Sequence, residues 1–202
     1  LKSSVWLMDP RPNLPTIVRC TEQAFELSEA TNTPVMMELR IRACHVTGEF
    51  VARDNRPPPI SRNARLPEPA AHDYGRISHP PSTYAHEKLK VEVRQPAAER
   101  FIVERGLNEL LPGKRSDLGI IVQGGIANVL LRGLDRLEVE GEIPTLVLNV
   151  THPLVPDQVV DFCRGKRAVL VVEEGAPDYI EQALHAILRK RDIGTRLYGK
   201  DV

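Results

Sequence analysis

The stretch Leu118–Val139 reads LGIIVQGGIANVLLRGLDRLEV, and it decides the fold. Its first part, Leu118–Val122, is a continuous apolar run of the kind that forms a strand buried on both faces of a sheet. Gln123–Gly125 ends that strand, and apolar side chains then recur at helical spacing across Ile126–Leu137. The stretch therefore predicts a buried strand, a glycine turn and an amphipathic helix.

The same alternation continues to the end of the chain. Further strands are predicted at Thr145–Val150, Ala168–Val172 and Thr195–Tyr198, with helices that begin at Pro156 and Pro177 between them. Apolar strands that alternate with amphipathic helices predict a parallel sheet covered by helices on both faces. We therefore expect residues 115–202 to form a Rossmann-like α/β domain.

The front of the chain gives a shorter pattern. A helix is predicted over Leu14–Thr31, and the apolar run Val35–Ile41 predicts a strand. One helix and one strand cannot make a domain, and the chain opens at Leu1 rather than Met. We therefore expect residues 1–50 to be part of a larger domain, with partners upstream.

Residues 51–114 separate these two parts. Seven of the 17 prolines lie between Pro57 and Pro81, so an extended surface linker is expected there. Tyr84–Leu111 is predicted to be mostly helix, although the alternation of apolar and charged residues around Leu89–Val93 also fits an edge strand.

The composition excludes several classes of partner. Lys and Arg number 27 against 27 Asp and Glu, so no broad basic field is available for nucleic acid. No stretch approaches the roughly 18 to 20 apolar residues of a membrane span, and no secretory signal opens the chain. The three cysteines are too few for an iron–sulfur cluster or a disulfide framework. A cytoplasmic protein that binds neither membrane nor nucleic acid is expected.

Chemistry in such a sheet is expected where strands end. Open parallel sheets bind ligands at the carboxyl ends of their strands, which here are Gln123–Ile126, Asn149–Pro153 and Glu173–Pro177. The two glycines are expected to form a tight turn rather than an anion site, because no GxGxxG or GxxxxGK[ST] pattern occurs. For Glu173 and Glu174 we expect one carboxylate near the next helix N-terminus and one in solvent, and for His152 a structural role.

A second candidate follows the strand of the front segment. Arg40 and Arg42 lie close together there, and two arginines near a strand end can bind an anion such as a substrate carboxylate in a bidentate manner. They can equally be solvated or ion-paired surface charges. The residues by themselves leave both interpretations open.

The order of the motifs resembles that of the thiamine-diphosphate-dependent 2-oxoacid:ferredoxin oxidoreductases, in particular those that act on aryl pyruvates such as indolepyruvate. The segments that give the resemblance are FELSE (Phe25–Glu29), PVMMELRIRACH (Pro34–His45), GIIVQGGIANVLL (Gly119–Leu131), VVEEGAPDYIEQAL (Val171–Leu184) and YGKD (Tyr198–Asp201).

This resemblance implies a division of the chain and a reaction. Residues 1–50 would be the C-terminal part of a pyrimidine-binding domain, 51–114 a Pro-rich linker and helical connector, and 115–202 a transketolase C-terminal-like domain. The family oxidatively decarboxylates a 2-oxo acid to an acyl-CoA and passes the electrons through iron–sulfur clusters to ferredoxin. Thiamine diphosphate, Mg²⁺ and these clusters would serve the full enzyme.

The resemblance also implies a substrate site. In the family an arginine in an R-x-x-H setting binds the substrate carboxylate, and Arg42 with His45 matches that setting. Arg40 stands where the family has a threonine-rich lead-in, which leaves open which arginine faces the substrate. No catalytic residue or metal ligand is implied within this segment.

The chain lacks a motif that the family needs to bind its cofactor, so by this resemblance its function would depend on other parts of an enzyme. The cofactor's pyrophosphate and magnesium need a Gly-Asp-Gly motif with a following Asn, which the chain does not contain. We therefore expect the segment alone to bind no cofactor and to be inactive. Its implied partners are the remainder of the same enzyme or its small subunit, in an oligomer that uses ferredoxin and CoA. The alternative is a non-catalytic α/β interaction or ligand-binding module that shares only the transketolase C-terminal fold.

Overall fold

The computed structural model describes residues 5–54 and 73–200. Leu1 and most of the Pro-rich linker lie outside the described residues. The strands are β1 (Trp6–Met8), β2 (Val35–Met37), β3 (Glu109–Leu111), β4 (Leu118–Gln123), β5 (Thr145–Leu148), β6 (Val150–His152), β7 (Ala168–Val172) and β8 (Arg196–Tyr198). The helices are α1 (Leu14–Thr31), α2 (Ile41–Cys44), α3 (Ser82–Leu89), α4 (Gln95–Glu104), α5 (Ala127–Arg136), α6 (Pro156–Cys163) and α7 (Tyr179–Lys190).

The predicted Rossmann-like sheet is confirmed. Five strands pair in the order β3-β5-β4-β7-β8, and all neighbours are parallel except β3, which runs antiparallel to β5 at one edge. Helices α6 and α7 contribute to the apolar core on one face, and α5 contributes to the core on the other. Burial on both faces explains why these strands are continuously apolar.

A second, smaller sheet joins the front of the chain to its second half. Its order is β2-β1-β6, with β1 parallel to β2 and antiparallel to β6. Only Asn149 separates β5 from β6, so one extended stretch of chain contributes to both sheets. One strand partner of the front segment therefore lies downstream in this chain, whereas the sequence predicted partners upstream.

The front sheet is held against α1 by a buried aromatic residue. Trp6 is fully buried, and its Nε1 donates to Thr31 Oγ1 at 2.9 Å. The predicted bounds of α1 are confirmed, because Asn13 caps its N-terminus and Asn32 adopts the left-handed conformation that ends it.

Two predicted elements differ from the structure. The strand after α1 ends at Met37, and Ile41–Cys44 is a short helix because the amides of Ala43 and Cys44 turn back to the carbonyl of Arg40. The helical connector runs over Ser82–Glu104 with a π-helical turn at its centre, so the alternative edge strand does not form.

The predicted extension of the connector helix to Leu111 is wrong. Gly106 has a φ of 58°, and the amide of Leu107 bonds back to the carbonyl of Ile102, which is the hydrogen bond that ends a helix at glycine. Glu109–Leu111 then forms β3. Among the described residues, none of the helices has the length and apolar character needed to cross a membrane.

Candidate functional site

The candidate site lies between the carboxyl ends of β4 and β7. These strands are neighbours, but the chain leaves β4 toward α5 on one face and leaves β7 toward α7 on the other. Such a divergence opens a crevice at the sheet edge, and this is where open α/β sheets ordinarily bind ligands.

The side chain of Arg40 fills this crevice. Its Nε and Nη2 donate to the two carboxylate oxygens of Asp9 at 3.3 and 3.1 Å, which is a bidentate pair. Nη1 pairs with Glu174, and Nη2 lies 3.5 Å from Glu38. The Arg40 side chain is 15% exposed and that of Asp9 is fully buried. Of the two interpretations left open by the sequence, an anion site or ion-paired charges, the structure supports ion pairing for Arg40.

The two glycines after β4 are needed because Asp9 and Arg40 approach so closely. A Cβ atom on Gly125 would lie 2.3 Å from both Arg40 Nε and Asp9 Oδ1, and one on Gly124 would lie 2.0 Å from the Asp9 carbonyl oxygen. The backbone there forms a tight 3₁₀ turn, as predicted. The reason for two glycines is the close approach of a segment distant in the chain, which no local pattern of residues indicates.

Burial and ion pairing have opposite effects on the pKa values of Asp9 and Arg40. It raises the pKa of the Asp9 carboxyl above its ordinary value, although the hydrogen bond and charge of Arg40 and the donors of Gly125 and Gln123 act in the opposite direction. Burial lowers the pKa of Arg40 more than any other single effect, but the hydrogen bond to Asp9 and the charges of Asp9, Glu38 and Glu174 together outweigh it, and the pKa is raised. Both charges are therefore compensated by direct hydrogen bonds.

Glu173 and Glu174 have separate roles. Glu173 accepts hydrogen bonds from the backbone N–H groups of Ile180 at 2.9 Å and Glu181 at 3.5 Å, so it caps the start of α7, as predicted. The other carboxylate was expected in solvent, but Glu174 is only half exposed and is bound to Arg40. The two carboxylates therefore act on different partners.

A neighbouring cleft of about 420 Å³ lies beside α7 and the end of β6. His152 lines it and packs on Trp6, with the ring centroids 5.7 Å apart. Its Nε2 is buried and has no hydrogen-bond partner in the described part of the chain, and burial lowers its pKa. The packing supports the structural role expected for His152. The other lining residues are mostly apolar and include Leu7, Leu154, Pro156, Ile180, Ala183 and Ile187.

The two residues predicted to bind substrate lie just beyond Arg40. The backbone of Arg42 belongs to α2, and His45 directly follows that helix with an exposed side chain. They are one helical turn apart. Arg40 is held inside the crevice, whereas this pair follows it on the segment that leaves the crevice.

The residues of the crevice do not fit a diphosphate group. The space beside Gly125 is filled by Arg40, and Asp9, Glu38 and Glu174 surround that single guanidinium with carboxylates, which repel an anion.

The cysteines do not fit an iron–sulfur cluster either, because such a cluster takes four thiolates and the chain has three cysteines. Burial raises the pKa of both Cys20 and Cys163 to about 11, which keeps these thiols protonated. Within residues 5–54 and 73–200, no group of three or more His, Cys, Asp or Glu side chains could hold a metal ion.

Comparison with known proteins gives two relatives of the same name. The indolepyruvate oxidoreductase subunit IorA of Methanothermobacter marburgensis is 30% identical over 200 residues, which is 96% of this chain. The subunit of that name from Methanothermobacter thermautotrophicus is 28% identical over 192 residues, which is 91% of this chain. The chain spans only 30% and 28% of the lengths of these relatives. No protein-family model matches it.

A solved structure shows the same fold. The 2-oxoglutarate:ferredoxin oxidoreductase from Magnetococcus marinus, with 2-oxoglutarate, coenzyme A and succinyl-CoA bound, aligns with a TM-score of 0.57 and 15% identity over 96% of this chain and 39% of that chain. The resemblance predicted from the sequence is therefore confirmed: the chain is a relative of the indolepyruvate oxidoreductase subunits and has the fold of part of a 2-oxoacid:ferredoxin oxidoreductase.

Proposed function

We propose that this chain forms part of an oxidoreductase that oxidatively decarboxylates aryl pyruvates, such as indolepyruvate, to acyl-CoA with ferredoxin as electron acceptor. The observation that supports this proposal most strongly is the similarity to two indolepyruvate oxidoreductase subunits over more than nine-tenths of the chain. In this proposal residues 1–50 complete a pyrimidine-binding domain, 51–114 are the connector, and 115–202 are a transketolase C-terminal-like domain.

We assign substrate-carboxylate binding to Arg42, with His45 beside it. The sequence leaves Arg40 and Arg42 as candidates, and the structure supports Arg42 because Arg40 is already bound to Asp9, Glu38 and Glu174. A guanidinium that holds a carboxylate by two parallel hydrogen bonds fixes both its charge and its orientation. That is the contribution we assign to Arg42 for the carboxylate of a 2-oxo acid.

The remaining chemistry belongs to other parts of the enzyme. When bound in the full enzyme, thiamine diphosphate with Mg²⁺ would stabilise the negative charge that develops on decarboxylation, and iron–sulfur clusters would carry the electrons. The crevice residues do not fit a diphosphate group and three cysteines do not fit a cluster, so we assign both groups to the remainder of the enzyme or its small subunit. The assembly would be a cytoplasmic oligomer that uses CoA and ferredoxin.

Reconstitution tests this function. Purified with the remaining parts of its enzyme, the chain should support ferredoxin reduction that depends on indolepyruvate, CoA and thiamine diphosphate, and omission of the chain should abolish it. A preparation that oxidises no 2-oxo acid, although all parts assemble, would contradict the proposal. Calorimetry on the isolated chain should show no tight binding of thiamine diphosphate with Mg²⁺, and tight binding would contradict the assignment of the cofactor to other parts.

A further inference from the structure

Helix α2, whose backbone includes Arg42, is short and partly exposed. It contains four residues, and the side chains of Ile41 and Cys44 are exposed, Ile41 at 79%. A single helical turn is unstable in water unless other contacts hold it. Its first hydrogen bonds run from the amides of Ala43 and Cys44 to the carbonyl of Arg40, at 2.8 and 3.2 Å. The position of α2 therefore follows from the position of Arg40.

Arg40 in turn is held by groups from four strand ends. Asp9 directly follows β1, Glu38 directly follows β2 and Glu174 lies two residues beyond β7, while Gly125 after β4 lies against the guanidinium. The backbone of Asp9 is itself fixed, because its N–H donates to the carbonyl of Asn149 at 2.8 Å. Both sheets therefore contribute to holding one side chain.

From these contacts we infer that Arg40 is a positioning residue for Arg42: its bidentate pair with Asp9 and its contact with Glu174 fix α2 at the carboxyl edge of the five-stranded sheet. This inference rests on the proposed role of Arg42 in binding the substrate carboxylate. Arg40 itself does not touch the substrate. It acts by presenting the next turn of the chain in one orientation.

The geometry distinguishes this network from ordinary surface ion pairs. Arg105 and Glu26 form such a pair at 3.4 Å, with both side chains about half exposed, and Arg105 pairs with no second carboxylate in the described part of the chain. Exposed pairs of this kind restrain their segments weakly. The planar fork of Arg40 engages both oxygens of a fully buried carboxylate, which sets its direction as well as its distance.

Cys44 provides a direct reporter of α2. It is exposed, whereas Cys20 and Cys163 are buried, so a trifluoromethyl thiol reagent should label Cys44 selectively in the folded chain. Fluorine NMR of the labelled chain should show one narrow resonance. In Arg40→Gln that resonance should shift and broaden, in Arg40→Lys it should change less, and in the control Arg105→Gln it should stay unchanged.

Kinetics of the assembled, unlabelled enzyme supply the second readout. Arg40→Gln should raise the KM for indolepyruvate about tenfold with a smaller change in kcat, and Arg40→Lys should restore part of the loss, because a misplaced binding group loses affinity. Should Arg40→Gln fail to fold, Arg40→Lys decides the matter by the same two readouts. An unchanged fluorine resonance, or an unchanged KM while Arg42→Gln raises it, overturns the inference. If instead Arg42→Gln leaves the KM unchanged, the proposed function of Arg42 is wrong.

Discussion

The guanidinium of Arg40 lies directly against the backbone of Gly125, where a Cβ atom would be only 2.3 Å from Arg40 Nε. These residues follow strands of different sheets: Arg40 comes after β2 of the small sheet, and Gly125 comes after β4 of the large one. A crevice that commonly admits a ligand is thus filled by the chain's own side chain. The contact makes this edge of the sheet a junction between two parts of the molecule.

The first prediction concerns that junction. Gly125→Ala should lower the free energy of unfolding by about 2–4 kcal/mol, because the methyl group must displace a buried ion pair. Gly133→Ala is the matched control: it lies in α5, and a Cβ there would meet no atom within 4 Å. That change should leave stability unchanged or raise it by up to about 1 kcal/mol. Urea unfolding of both variants measures the difference, and equal effects would contradict the packing described.

The second prediction concerns Asn149, the residue between β5 and β6. It is fully buried, its Oδ1 accepts from the backbone N–H of Arg11, and its Nδ2 donates to the Leu107 carbonyl and to Glu109. Asn149→Ala leaves these groups without hydrogen-bond partners and should lower the free energy of unfolding by about 2–4 kcal/mol.

The control for that change is Asn128→Ala. Asn128 belongs to the same network, but its bonds to Arg11 and the Pro12 carbonyl are only partly buried. Asn128→Ala should lower the free energy of unfolding, measured in urea, by about 1 kcal/mol. If Asn149→Ala lowers the free energy of unfolding no more than this control does, the buried hydrogen bonds of Asn149 do not stabilise the fold as described.

The third prediction is a pH dependence from His152. Burial lowers the pKa of His152 in the folded chain, so the unfolded chain takes up the proton more readily. The stability that the neutral His152 contributes is therefore fully present above pH 6.5, which is the ordinary pKa of histidine. It is lost as the pH falls below that value and through the lowered pKa of the folded chain. His152→Phe keeps a ring against Trp6 and removes the titration.

The measurement for His152 is the free energy of unfolding at about pH 7.5 and about pH 5.5. His152→Phe should lose less stability over this interval than the unaltered chain does. Identical slopes for the two chains would show that His152 does not titrate as its burial implies.

The fourth prediction concerns the cap of α7. Glu173→Ala removes the carboxylate that accepts from the N–H groups of Ile180 and Glu181, and it should cost about 1–2 kcal/mol. Glu140→Ala removes a carboxylate from an exposed position and should change stability by less than about 0.5 kcal/mol. Thermal unfolding followed by circular dichroism compares the two, and equal midpoints would contradict the capping role.

Local patterns in the sequence predict much of the large sheet. The bounds of α1 and β7 are the same in the prediction and in the structure, because caps, glycines and apolar periodicity act over a few residues. The prediction that the connector helix continues to Leu111 was wrong because β3 pairs with β5, more than thirty residues away. This pairing outweighs the local helix preference of these residues.

The ion pairs of Arg40 could not be predicted from such local patterns. Arg40 is 31 residues from Asp9 and 134 residues from Glu174, so no periodicity links them. One signal was present in the sequence: Asp9 directly follows an apolar run and precedes a proline, a position where a carboxylate is buried only if it has a cationic partner. That pattern, with Arg40 after the neighbouring strand, could have suggested the pair.

The most direct test of the account is the KM for indolepyruvate of the assembled enzyme with Arg42→Gln. If Arg42 binds the substrate carboxylate, its loss should raise the KM by about ten- to a hundredfold with a smaller effect on kcat. Arg105→Gln, an exposed arginine on the connector, should leave the KM within about twofold of the original. A KM for Arg42→Gln equal to that of this control, in an enzyme that assembles and turns over, would contradict the account.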